Sequence, residues 1–135
     1  MCLRFALGTG TFGTRWGYGA ELKTARPTLD RFADAGGTNI DTAASDQFGE
    51  SEENLGRGLA GRRDQFTVAT KFAIGGPAPD RCRPPMAVAR SSAPARAACV
   101  DWAPTTLDLL WVRFPDGISP VCEVVRAFAD LGSGG

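Results

Sequence analysis

Asp41, Lys71 and Arg113 each close a short run of apolar and β-branched residues, a placement from which charged side chains can bind a ligand. Each run reads as a strand. In parallel α/β architectures the loops after the strands diverge and leave a crevice at that rim. Three ionisable groups at three strand ends are hard to explain as packing, because a buried charge is costly unless it is paired. A second account stays open on the residues alone: Asp41 and Lys71 could form an ion pair that only sets strand register. Tyr18, the one tyrosine, lies on a glycine-rich loop at the same rim, although loop tyrosines more often make contacts than carry reactions. Metal chemistry has no support. The chain has no histidine, and Cys2, Cys82, Cys99 and Cys122 are widely spaced with no Cys-x-x-Cys pair. Neither a zinc site nor a disulfide framework is expected, and free thiols in a reducing compartment fit better.

The elements that must position these residues follow from the apolar patterning. A strand is expected over residues 3–7, stopped by Gly8-Thr9-Gly10-Thr11-Phe12-Gly13. Leu22, Ala25, Leu29, Phe32 and Ala33 recur at helical spacing within residues 20–35, and Gly36-Gly37 supplies the left-handed stop. Pro27 inside that helix removes a hydrogen bond and costs about 3 kcal/mol, so a kink or a late start is expected. A buried strand over residues 38–43 precedes a helix with Ser51 as N-cap and Glu52 and Glu53 in its first turn. That helix should stop at Gly61. Residues 66–72 and 107–112 read as further strands. Val121, Val124, Val125, Phe128 and Leu131 form the stripe of a last helix, whose pattern ends abruptly at Gly132-Ser133-Gly134-Gly135.

Strand and helix therefore alternate, which argues for parallel strands joined by right-handed crossovers. At 135 residues the chain suffices for one modest domain, and its 43% hydrophobic content suits a folded one. Fifteen basic residues balance fifteen acidic ones, so charge points to neither nucleic acid nor a membrane surface. No apolar run approaches the roughly 20 residues needed to span a bilayer, and residues 1–7 are too short for a secretory signal, so a cytoplasmic location is expected. Residues 76–104 break the pattern with several prolines and with Arg81, Arg83, Arg90 and Arg96, without the interleaved aromatics of a nucleic-acid arm. A poorly packed segment is the reading there, and its Ala, Arg, Pro and Ser content is also what an out-of-frame stretch of high-GC coding sequence would give.

Several segments carry a family resemblance. Leu7-Gly8-Thr9-Gly10-Thr11-Phe12-Gly13, Asn39-Ile40-Asp41-Thr42-Ala43, Gly49-Glu50-Ser51-Glu52-Glu53-Asn54-Leu55-Gly56 and Ala69-Thr70-Lys71-Phe72 resemble consecutive signature segments of the aldo-keto reductases. Leu107-Asp108-Leu109-Leu110-Trp111-Val112 with Phe114-Pro115-Asp116-Gly117 is similar to the fourth strand and its loop. The resemblance implies an α/β fold: the N-terminal part of a (β/α)8 TIM barrel, about four βα units, with 1–135 a partial, incomplete barrel domain. A whole barrel usually takes about 250 residues. It further implies NADPH as cofactor, with weak affinity because the family grips the adenosine phosphate from later strands. The substrate would be a small aldehyde or ketone, with no metal. Gly10, Thr11, Phe12 and Asp41 would lie near the nicotinamide.

By the same resemblance Asp41 and Lys71 match two of four catalytic positions. The family's acid is a tyrosine, made more acidic by the lysine that the aspartate holds, while a histidine orients the carbonyl. Here Asp46 stands at the tyrosine position and Arg113 at the histidine position. An ordinary carboxyl group is ionised at neutral pH, so Asp46 would carry charge instead of a proton and repel a developing alkoxide. Loss of a general acid costs on the order of 10²–10⁴ in rate. Asp46 and Arg113 could pair beside Asp41 and Lys71 in a network of zero net charge, or both could be unselected decay. Two classes stay open: a reductase completed by Tyr18 or a partner, and a non-catalytic half-barrel that binds, regulates or has decayed. Exposed sheet edges could drive homodimerisation or leave the chain partly molten.

Overall fold

The computed structural model describes residues 5–72, 107–113 and 120–133. The segment 76–104, the loop residues Phe114 to Gly117 and three of the four cysteines lie outside the described residues. Four parallel strands, β1 (Leu7–Gly8), β2 (Asn39–Asp41), β3 (Thr67–Phe72) and β4 (Leu109–Val112), form one sheet in sequence order. Helices α1 (Leu22–Asp34) and α2 (Glu50–Leu59) follow β1 and β2, and α3 (Val121–Ser133) follows β4. The alternation read from the apolar pattern is therefore present.

One face of the sheet packs on the helices. Leu29 of α1, Ile40 of β2, Leu55 and Leu59 of α2, and Phe66 and Val68 at β3 make a continuous buried cluster, with Leu7, Phe32, Ala33 and Leu107 against its border. Burying each such side chain contributes about 1.5–3 kcal/mol. Helices α1 and α2 come close at Gly58, where a Cβ would sit 3.1 Å from Leu29 Cδ2. A side chain there would need the Leu29 tip to give by a few tenths of an ångström.

Several boundaries differ from the sequence reading, each for a local reason. Among the described residues the first strand is Leu7–Gly8, the pair that bonds to Ile40 and Asp41 of β2, and residues 3 and 4 of the expected strand lie outside them. Helix α1 starts two residues later than its pattern and then runs unbroken through Pro27. The carbonyl that Pro27 frees is that of Lys23, and both residues are exposed, so water can satisfy it. Its end is a Schellman motif: Gly36 (φ 81°) donates to Ala33 O and Gly37 to Phe32 O, both at 2.8 Å. Helix α2 begins at Glu50 behind Gly49, so Ser51 is not the cap; it is buried in the first turn. Helix α3 continues through Gly132 to Ser133. Its stripe is only partly covered: Val124 and Phe128 are half-buried, whereas Val121 and Val125 are exposed.

Candidate functional site

The other face of the sheet carries the chemistry. Side chains alternate along a strand, so with Ile40 and Val68 in the core, Asp41, Ala69 and Lys71 point to the opposite face. Lys71 pairs in register with Trp111, and Arg113, two residues on, continues the same alternation just beyond β4. Asp41 ends β2, Lys71 is the penultimate residue of β3, and Arg113 follows β4. All three stand at one rim, as their positions in the sequence predict.

Lys71 Nζ donates to Asp41 Oδ2 at 2.5 Å and to the Thr42 carbonyl at 3.1 Å. The side chains are 25% and 40% exposed, so the pair stands at the rim and is only partly buried. An ammonium has three protons, and two are engaged here, which leaves one for a ligand oxygen. The Asp41 carbonyl accepts from Thr9 N at 3.0 Å, so the same residue also fixes the start of the first loop.

Asp46 and Arg113 meet as well. Arg113 Nη1 lies 3.3 Å from Asp46 Oδ1 and donates to Ser45 Oγ at 2.9 Å. Asp46 is the more enclosed partner, and its Oδ2 lies beside Gly10: a Cβ on that glycine would be 3.5 Å away. The four charged groups thus form two neighbouring pairs of zero net charge. No hydrogen bond or ion pair joins the two pairs among the described residues.

The first loop, Gly10 to Gly19, is held over this rim by a set of long-range polar contacts that patterning does not reveal. Glu50 Oε2 accepts from Thr14 N at 2.8 Å and Arg15 N at 3.0 Å, while Arg15 reaches Glu53 at 2.9 Å and the Phe48 carbonyl at 3.3 Å. Ser51 Oγ donates to the Thr9 carbonyl at 2.6 Å and lies 3.1 Å from Thr9 Oγ1 and 3.2 Å from Thr42 Oγ1. Asn54 Nδ2 donates to the Phe12 carbonyl. Gln47 is fully buried; its Oε1 accepts from Trp16 N at 2.9 Å and its Nε2 donates to the carbonyls of Tyr18 and Gly10. The loop tolerates this closeness at Gly19 (φ 122°), where any Cβ would collide with the Gly13 carbonyl. The acidic run Glu50-Ser51-Glu52-Glu53 was visible as a helix start. That Glu50, Ser51 and Glu53 turn back to the first loop was not, since those contacts span more than 30 residues of sequence.

Gln47 and Phe48 both adopt left-handed backbone, with φ of 53° and 54°. Such a conformation costs about 1–2 kcal/mol per non-glycine residue. Gln47's three hydrogen bonds hold it there. Tyr18 is 59% exposed and its ring centroid is 5.7 Å from that of Trp16, so it makes an aromatic contact on the loop.

The positions expected for the nicotinamide end differ in kind. Thr11 is exposed, Gly10 and Asp41 are partly so, and the Phe12 ring is buried and anchors the loop; Gly8, beside Asp41 in register and not among the expected positions, has open space where a side chain would be. Small residues, one free hydroxyl and a carboxylate around an open space fit a nicotinamide and its ribose. No group of side chains able to hold a metal ion occurs among the described residues. No described helix is long and apolar enough to cross a membrane.

Comparison with known proteins agrees with this geometry. Over 139 residues the chain is 32% identical to norsolorinic acid reductase B of Aspergillus parasiticus, covering 96% of this chain and 36% of that protein. It is 45% identical over 74 residues to the aldo-keto reductase YhdN of Bacillus subtilis, covering 53% of this chain and 22% of the other. An aldo-keto reductase from Klebsiella pneumoniae, solved in complex with NADPH, superposes with a TM-score of 0.69 at 24% identity, covering 96% of this chain and 41% of that one. The chain thus spans between about a fifth and two fifths of the length of these proteins, and its four parallel strands are part of a (β/α)8 barrel fold. The sequence model of the Aldo/keto reductase family matches residues 4–135, and the chain belongs to that family.

Proposed function

We propose that this chain forms the nicotinamide and carbonyl end of an NADP(H)-linked oxidoreductase site, in which the Asp46–Arg113 pair replaces a proton donor. The observation that carries this reading is the placement of that pair, 3.3 Å apart, at the same rim as Asp41 and Lys71. Gly10, Thr11 and Asp41 would hold the nicotinamide end of NADPH, which supplies hydride when bound. Lys71, fixed by Asp41 and by the Thr42 carbonyl, offers its remaining proton to a carbonyl oxygen. Asp46 brings negative charge to the place where an alkoxide would form, and Arg113 offsets it only through one nitrogen. Carbonyl compounds should therefore bind, while turnover should be slow.

The test follows NADPH oxidation at 340 nm with an aromatic aldehyde, alongside circular dichroism. The chain as it stands should turn over at or near background. The double variant Asp46→Tyr with Arg113→His should gain on the order of 10²-fold or more, the low end of general-acid catalysis. Rapid turnover by the unaltered chain, abolished by Tyr18→Phe, would instead assign the proton to Tyr18. A folded double variant with no gain would leave the non-catalytic reading. Homodimerisation belongs to the same proposal. β1 and β4 are paired on one side only among the described residues, and Leu109 and Trp111 are about half exposed on the rim-bearing face. A strictly monomeric mass by light scattering at micromolar concentration would count against it.

A further inference from the structure

We propose that Ser51 and Glu52, side by side in the first turn of α2, are positioning residues for the Asp41–Lys71 pair. Through threonines on the helix-covered face of the sheet they set how far apart β2 and β3 stand at the rim. This goes beyond the proton-donor reading above and rests on it only for the use made of the pair.

The sequence puts a threonine beside each rim position. Thr9 follows Gly8, Thr42 follows Asp41, and Thr70 precedes Lys71. Side chains alternate along a strand, so Thr42 and Thr70 face the helices while Asp41 and Lys71 face the other way. All three threonines are buried, and so are Ser51 and Glu52. With its one proton given to the Thr9 carbonyl, Ser51 Oγ accepts from Thr42 Oγ1 at 3.2 Å. Glu52 Oε1 accepts from Thr70 Oγ1 at 2.5 Å. Two consecutive helix residues thus latch the chain at the ends of β1 and β2 on one side and β3 on the other.

The latch sits where backbone pairing gives out. β2 ends at Asp41, whose partner in register is Ala69, two residues short of Lys71. Past that point Thr42 N donates to the Ala69 carbonyl at 2.9 Å and Ala44 N to the Lys71 carbonyl at 3.2 Å. The stretch that must keep Lys71 Nζ on Asp41 Oδ2 therefore lies at the frayed end of the β2–β3 ladder. Successive positions on a helix have a fixed separation, so hydroxyls held by Ser51 and Glu52 hold β2 and β3 at a fixed separation too.

Stability alone explains Glu52 badly. Burying a carboxyl group is costly, its hydrogen bonds only offset that cost, and apolar residues in place of both partners are often as stable. The same helix uses Leu55 and Leu59 for its core contacts. A carboxyl group does what leucine cannot: it grips a hydroxyl at a short, directed distance.

The experiment needs neither cofactor nor turnover. Lys23 and Lys71 are the only lysines in the chain, and Lys23 is exposed, so it serves as an internal reference. The whole chain is pulsed with acetic anhydride at neutral pH, and the ratio of Lys71 to Lys23 acetylation is read by mass spectrometry, with circular dichroism reporting the fold. Glu52→Ala should raise that ratio about five-fold, the change that one lost hydrogen bond makes in a local equilibrium. Thr70→Val, which keeps the shape and removes the donor, should do the same, and it decides the matter if Glu52→Ala does not fold. Glu52→Gln and Thr70→Ser, which keep an acceptor and a donor, should stay at the parent ratio. Leu29→Ala gives a destabilised core with the latch intact and should also leave the ratio unchanged. A parent ratio in folded Thr70→Val, or an equal rise in Leu29→Ala, would overturn the latch. If Asp46→Tyr with Arg113→His gains no turnover while Thr70→Val still raises the ratio, the oxidoreductase reading falls and the latch stands.

Discussion

Ser51 offers the sharpest test of how the first turn of α2 is built. As an N-cap it would be interchangeable with aspartate, since the two are nearly equal at that position. The structure places it two positions inside the Gly49 cap, with no exposure and with its hydroxyl donating at 2.6 Å to the Thr9 carbonyl. Ser51→Ala removes that bond and strips Thr42 Oγ1 of its neighbour at 3.2 Å. One lost hydrogen bond plus a buried hydroxyl left unsatisfied amounts to about 2 kcal/mol. Ser51→Asp is worse, because it sets a carboxylate against a carbonyl oxygen in a closed space, at about 3 kcal/mol or more. Urea unfolding followed by circular dichroism separates the two accounts. With a slope of about 2 kcal/mol per molar, the alanine variant should lose about 1 M in midpoint and the aspartate variant about 1.5 M or more. An aspartate variant as stable as the parent would refute the buried-hydroxyl assignment and restore the cap.

Two further outcomes are expected. Burial pushes the Asp108 carboxyl upwards, but the Val68 N–H at 2.8 Å and the Arg63 guanidinium at 2.6 Å outweigh it and hold the group below its ordinary value. A depressed folded value means that its stabilisation is full above the unfolded value of about 3.9 and is lost as pH falls through the lower folded value. The stability difference between the parent and Asp108→Asn should therefore be constant near neutrality and shrink below about pH 4; a difference that grows on acidification contradicts the sign. Leu29→Ala, at 1% exposure between the two helices, should cost about 2–5 kcal/mol in urea unfolding, whereas Val121→Ala, at 77% exposure, should change stability by less than about 0.5 kcal/mol. Similar costs at both positions would mean that the core is misplaced.

Much of this arrangement was legible because it is periodic or local. The alternation of apolar runs foretold the order of elements, and Gly36-Gly37 foretold the helix stop, since glycine is the residue that most easily takes the left-handed position after a last turn. Asp41, Lys71 and Arg113 were legible as rim residues because a strand end is a position that patterning alone defines. Pairing of Asp46 with Arg113 could be anticipated from charge and from family resemblance together. The clamp on the first loop could not. Gln47 has no periodicity to betray it, and its partners lie 29 to 37 residues away. Ser51 was misread because Ser followed by two acidic residues is the usual signature of a cap, and the left-handed Gly49 that takes that place is visible only once the backbone is known.

The anchoring of the first loop on the start of α2 ties the motions of two distant segments together. The amides of Thr14 and Arg15 are protected by the Glu50 carboxylate, and that of Trp16 by Gln47 just before the helix. These protons can exchange with solvent when the first turn of α2 opens, so the loop inherits the local opening free energy of that turn. Deuterium uptake at residues 14–16 should then rise and fall with uptake at the helix start, and a fraying helix end, not a hinge within the loop, would set how often the rim is uncovered.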